Sequence, residues 1–150
     1  MQYTILGTTQ ARDNEGTPVP VGGPRLRALL TSLALHTPHP APVTALIDDV
    51  WADDPPADAP AALQALVGRL RRSLGKEAIT SEPGGYRLTA TRADIDLYVF
   101  ESLVREGTTA LAANDPATAA QALREALALW RGPALADLPD HTAATRPEAQ

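Results

Sequence analysis

The chain has 150 residues, 13 Lys and Arg against 18 Asp and Glu, a formal charge of −5 and no cysteine. That length admits one ordinary domain or two small ones, and the missing cysteine excludes a disulfide framework, a thiol nucleophile and a thiolate-held zinc. The acidic total argues against a nucleic-acid binder, no apolar run nears the ~20 residues that cross a bilayer, and the N-terminus lacks a signal-peptide pattern.

Taken in order, residues 3–7 read as a short strand and 17–21 as a second. The second belongs at a sheet edge, because Pro18 and Pro20 cannot donate to a ladder. Asp13, Asn14, Glu15 and Gly16 between them are turn chemistry. Pro24 then opens a helix with Leu26, Leu29, Leu30 and Leu33 on one stripe, which stops before Pro38, Pro40 and Pro42. A second helix takes Thr44 as its N-cap and buries Leu46, Ile47, Val50 and Trp51. A loop holding Asp53, Asp54 and Asp58 leads to a third helix over residues 59–74, with Leu63, Leu66, Val67, Leu70 and Leu74 as its stripe and Gly75 as its stop. Residues 79–81 and 86–89 flank Glu82-Pro83-Gly84-Gly85 as a β-hairpin.

Beyond residue 92 the pattern is helical. Asp96 is placed as the cap of a helix carrying Val99, Phe100, Leu103, Val104 and Leu111. After Asn114-Asp115-Pro116 a second helix puts Ala120, Leu123, Leu127 and Trp130 on one face and ends at Gly132-Pro133. From Asp137 onward no pattern is visible. The fold class is therefore α+β. A winged helix-turn-helix with N-terminal antiparallel strands and a C-terminal β-hairpin wing occupies residues 1–92. A tetratricopeptide-like all-α helix pair, which needs neighbours to bury its face, occupies residues 93–150.

Charge by segment reverses the first impression. Residues 59–92 carry six basic side chains against two acidic ones, while both flanking segments are acidic. On a wheel of the third helix, the side opposite the apolar stripe presents Ala61, Ala65, Gly68, Arg69, Arg72 and Lys76, with Gln64 and Arg71 on one flank. A basic face with small residues at its middle suits a major groove, where Arg meets phosphate or guanine and Gln meets adenine. Thr44 and the wing's Arg87, alternating with inward Tyr86 and Leu88, join them as candidate DNA contacts. Asp53, Asp54 and Asp58 would repel phosphates, so their loop should face away from DNA and meet a protein; Asp58 is alternatively a dipole partner for the third helix. His36, His39 and His141 lack metal-ligand spacing, and no phosphate loop or nucleophile motif is present. No cofactor, metal or enzymatic activity is expected.

Ile5-Leu6-Gly7, the run from Leu46 to Trp51 with Asp54-Pro55-Pro56, the run from Arg69 to Gly75, and Gly84-Gly85-Tyr86-Arg87-Leu88 resemble the OmpR/PhoB-type DNA-binding domain of the SARP family, the antibiotic-pathway activators. Asp96 with Phe100, Glu101 and Leu103, then the run from Ala126 to Gly132, resemble the start of the bacterial transcriptional activator domain that follows it there. The resemblance implies a cytoplasmic, nucleoid-associated activator without a membrane partner. It would bind double-stranded promoter direct repeats as a head-to-tail dimer and contact RNA polymerase and its sigma factor, partly through Asp53 and Asp54. It also implies an activator domain longer than the part seen here. Pro60, Ala61 and Gly68 stand where the family often has polar groups, which leaves an alternative: a module that docks on polymerase or another protein with weak or no DNA binding.

Overall fold

In the computed structural model, which describes residues 1–138, the chain opens with β1 (Gln2–Thr4), β2 (Gln10–Arg12) and β3 (Pro18–Val19) as an antiparallel sheet in that order. The expected strands at 3–7 and 17–21 are present but shorter, and the central strand β2 is additional to them. Its three residues bury one small side chain, Ala11, and that is too little alternation to register as a strand.

Three helices follow: α1 (Pro24–His36), α2 (Val43–Trp51) and α3 (Ala59–Leu74). The leucine stripe of α1 is buried as expected and packs on both α2 and α3. Arg25 ties the α1 start to α2 by donating to the Val50 carbonyl at 2.8 Å, and Ser32 donates to Asp49 at 2.6 Å. Between α1 and α2, Ala41–Pro42 forms β4, which pairs with the hairpin β5 (Ile79–Glu82) and β6 (Gly85–Leu88) in the order β4-β6-β5. Thr44 therefore does not cap α2. Pro42 occupies that position without a side-chain bond, and the Val43 N–H is satisfied by the Gly84 carbonyl of the hairpin turn at 3.0 Å.

After a 3₁₀ turn at Arg92–Asp94 come α4 (Asp96–Ala112) and α5 (Pro116–Ala128), packed against each other. The buried face of α5 is Ala119, Ala122 and Ala126 rather than the expected Ala120, Leu123, Leu127 and Trp130. Leu123 is half-buried against Gly107 of α4, Leu127 and Leu111 are exposed, and Trp130 lies beyond the helix, edge-on to Phe100 at 5.4 Å. Small side chains line the seam because the two backbones approach closely there, so the large apolar residues do not mark its buried side.

Asp96 does not cap its helix through its side chain. The buried carboxylate instead accepts the Ile5 and Leu6 N–H groups at 2.7 and 3.1 Å. The same stretch is held from its other side: Arg131 N–H donates to the Leu6 carbonyl and Leu135 N–H to the Ile5 carbonyl. Asp137, in the segment without a sequence pattern, accepts Thr9 N–H at 2.6 Å and pairs with Arg27 at 3.1 Å. One hydrophobic cluster consequently runs from Tyr3, Ile5 and Leu6 through the winged-helix core to Leu97, Leu135 and Leu138. His141 and the rest of 139–150 lie outside the described residues.

Candidate nucleic-acid interface

The candidate surface is built on α3, whose limits coincide with those expected from the sequence. Asp58 caps it by accepting the Ala61 N–H at 3.3 Å, and Pro60 falls in the first turn, where its missing donor is harmless. Burial of Leu63, Leu66, Val67 and Leu70 fixes the helix rotation, each such side chain contributing about 1.5–3 kcal/mol. The opposite side is thereby turned outward. Gln64, Ala65, Arg69, Arg72 and Lys76 are exposed, and Gly68 is half-buried. Gln64, Arg69, Arg72 and Lys76 form no hydrogen bond or ion pair among the described residues, so their polar ends are available to a ligand.

The wing stands beside this helix. Its two-residue turn is Pro83-Gly84, with Gly84 at φ 78°, a left-handed value that suits glycine after proline. Gly85 follows because β4 lies against it: a Cβ there would collide with the Ala41 carbonyl. Leu88 is fully buried, Tyr86 half-buried, and Arg87 reaches Glu82 at 3.4 Å while keeping about a third of its side chain exposed. The expected outward arginine is thus already part-neutralised by a neighbour that sequence spacing does not suggest.

Arg71 is the other departure from an open row of cations. Its Nε and Nη2 donate to the Ile79 carbonyl at 3.1 and 2.9 Å, and Nη2 donates to Ser81 Oγ at 3.1 Å. Thr44 is exposed near the start of α2. Asp53, Asp54 and Asp58 are all exposed in the α2–α3 loop. Among the described residues no group of His, Cys, Asp or Glu is arranged to hold a metal, and no helix is long and apolar enough to cross a membrane.

Comparison with known proteins matches both halves of the chain. The family described as "Transcriptional regulatory protein, C terminal" matches residues 18–88, and "Bacterial transcriptional activator domain" matches 95–150. The chain is 38% identical over 140 residues to the regulatory protein AfsR of Streptomyces griseus, covering 93% of this chain and 14% of that protein. It is 34% identical to the regulatory protein DnrI of Streptomyces peucetius, covering 92% of this chain and 54% of that protein. A solved structure of Mycobacterium tuberculosis EmbR, in complex with a low-affinity phosphopeptide, superposes with a TM-score of 0.85 at 36% identity, covering 96% of this chain and 40% of that one. The chain spans between 14% and 54% of the length of these two curated relatives.

Proposed function

The chain belongs to the SARP family of transcription regulators, which are not enzymes, and from that membership we propose that it is a sequence-specific, DNA-binding transcriptional activator. Residues 1–92 form the DNA-binding domain and 93–150 the start of the activator domain. The outward side of α3 enters the major groove, with Gln64 and Arg69 toward base edges, Arg72 and Lys76 toward phosphates, and Ala65 and Gly68 allowing close approach. Thr44 and Arg87 of the wing meet the backbone on either side. Asp53 and Asp54, kept off the phosphates by like charge, face RNA polymerase and its sigma factor; Asp58 shares that loop. Two protomers bind head to tail on direct repeats, in the control of secondary-metabolite genes.

The observation that carries this reading is the uncommitted cationic side of α3, set beside a wing in the one basic segment of an acidic chain. Duplexes selected by the chain from a randomised library are expected to lose affinity about tenfold or more with an Arg69→Ala/Arg72→Ala variant. The slope of log K against log salt should flatten by about 0.9 for each phosphate no longer neutralised. Unchanged binding would remove α3 from the groove. Salt-insensitive capture of polymerase without any gel shift would favour a protein-docking module instead.

A further inference from the structure

Arg71 sits in the last turn of α3 but points along the helix flank toward the wing. The hairpin ladder explains what it meets there. Thr89 N–H donates to the Ala78 carbonyl, so the two-residue alternation of an antiparallel pair turns the polar groups of Ala78, Thr80 and Glu82 inward and those of Ile79 and Ser81 outward. β5 is an edge strand in the order β4-β6-β5, and the outward Ile79 carbonyl would otherwise face open space. The Arg71 fork covers it with two N–H donors and takes Ser81 Oγ from the same side. Three hydrogen bonds thus engage two of its three nitrogens. A lysine ammonium, a point charge on a flexible stem, has no planar fork to repeat that arrangement.

We propose that Arg71 is a positioning residue: it locks the wing at a set angle to α3, so that the two elements present one rigid surface to DNA. The segment between them, residues 75–78, turns at Gly75, φ 110°, and is closed by the Gly75 N–H to Arg71 carbonyl and Ala78 N–H to Gly75 carbonyl bonds. The Arg71 fork adds a side-chain tie from α3 to the outer strand, beyond the buried Ile79 and Leu88 and the β4 pairing that hold the wing from its inner side. This inference rests on the DNA-binding reading above, and its mark is that Arg71 acts through the wing rather than by its own charge on a phosphate.

The test uses the chain and a duplex it selects from a randomised library. Arg71→Gln and Arg71→Lys should each weaken binding about tenfold, with hydroxyl-radical protection fading on the wing side and persisting under α3. Combining Arg71→Gln with Arg87→Ala should cost little more than the larger single loss, because both act through one element. Should Arg71→Gln unfold the chain, Ser81→Ala removes one acceptor without changing charge and should show a smaller loss with the same protection pattern. Rescue by lysine, additive losses with Arg87→Ala, or uniform fading of protection would each overturn the proposal and make Arg71 a direct phosphate contact. If the unaltered chain enriches no duplex, the DNA-binding reading itself falls, and this inference with it.

Discussion

Tyr3 shows how a single side chain can be read in both the sequence and the core, with different results. The sequence places it in a short strand, and it is 1% exposed. What the sequence withholds is that its hydroxyl finds no hydrogen-bond partner among the described residues. Burial, with the Asp94 carboxylate as a lesser cause, pushes its pKa up to about 12 from 10.0. A buried unpaired hydroxyl costs about 1–3 kcal/mol, so Tyr3→Phe should raise the urea midpoint at neutral pH. The raised pKa adds a signed expectation. The neutral phenol's contribution is fully present below pH 10.0 and is lost as pH rises toward about 12. Urea titrations across that alkaline range should therefore show a steeper decline for the unaltered chain than for Tyr3→Phe. A less stable Phe variant at neutral pH would mean the hydroxyl has a partner after all. Arg71 repeats the lesson on the surface: its residue type and helical phase point to DNA, but its partners lie on a strand eight and ten residues away.

At the scale of elements, legibility follows length and periodicity. α1 and α3 carry several turns of apolar stripe, and their limits are readable from Pro24, Asp58 and Gly75. β4 is not readable: its two residues lie among prolines that read only as a helix stop, and they form a strand because β6 supplies the partner. α5 is legible as a helix, but its buried side is not, because Ala119, Ala122 and Ala126 bury more completely than Leu123 and Leu127 beside them. Gly85 ties these strand pairings to function. Gly85→Ala must move the Ala41 carbonyl and so separate β4 from the wing, an overpacking cost of about 1–3 kcal/mol. A lower urea midpoint and weaker DNA binding are expected together. Unaltered stability would show that β4 gives way without loss and that it does not brace the wing.

For the molecule as a whole, the junction between the winged helix and the helix pair is what composition could not foretell. Residues 5–9 are gripped from both sides, by Asp96 on one and by Arg131, Leu135 and Asp137 on the other. Residues 5–9 thereby tie α4 and the segment after α5 to the strands β1 and β2 on either side of them, and Asp137 extends the tie to α1 through Arg27. Asp96 is the residue on which to test that tie. Burial raises its carboxyl pKa above 3.8, outweighing the Ile5 and Leu6 N–H bonds and the Arg131 charge, all of which lower it. Because the folded form holds its proton more readily than the unfolded form, this group's contribution is full below pH 3.8 and declines as pH rises through the folded pKa. Asp96→Asn leaves one carbonyl oxygen for two N–H donors and turns an amide against one of them, which should cost about 1–3 kcal/mol near neutrality. The gap between the unaltered chain and Asp96→Asn should then widen on acidification toward pH 3.8 and level off below it, other carboxylates cancelling in the difference. Faster hydrogen exchange at the Ile5 and Leu6 amides of the variant would locate the loosening at the junction. A gap that narrows toward acid, with unchanged exchange at those two amides, would show that Asp96 is buried there without holding the halves together.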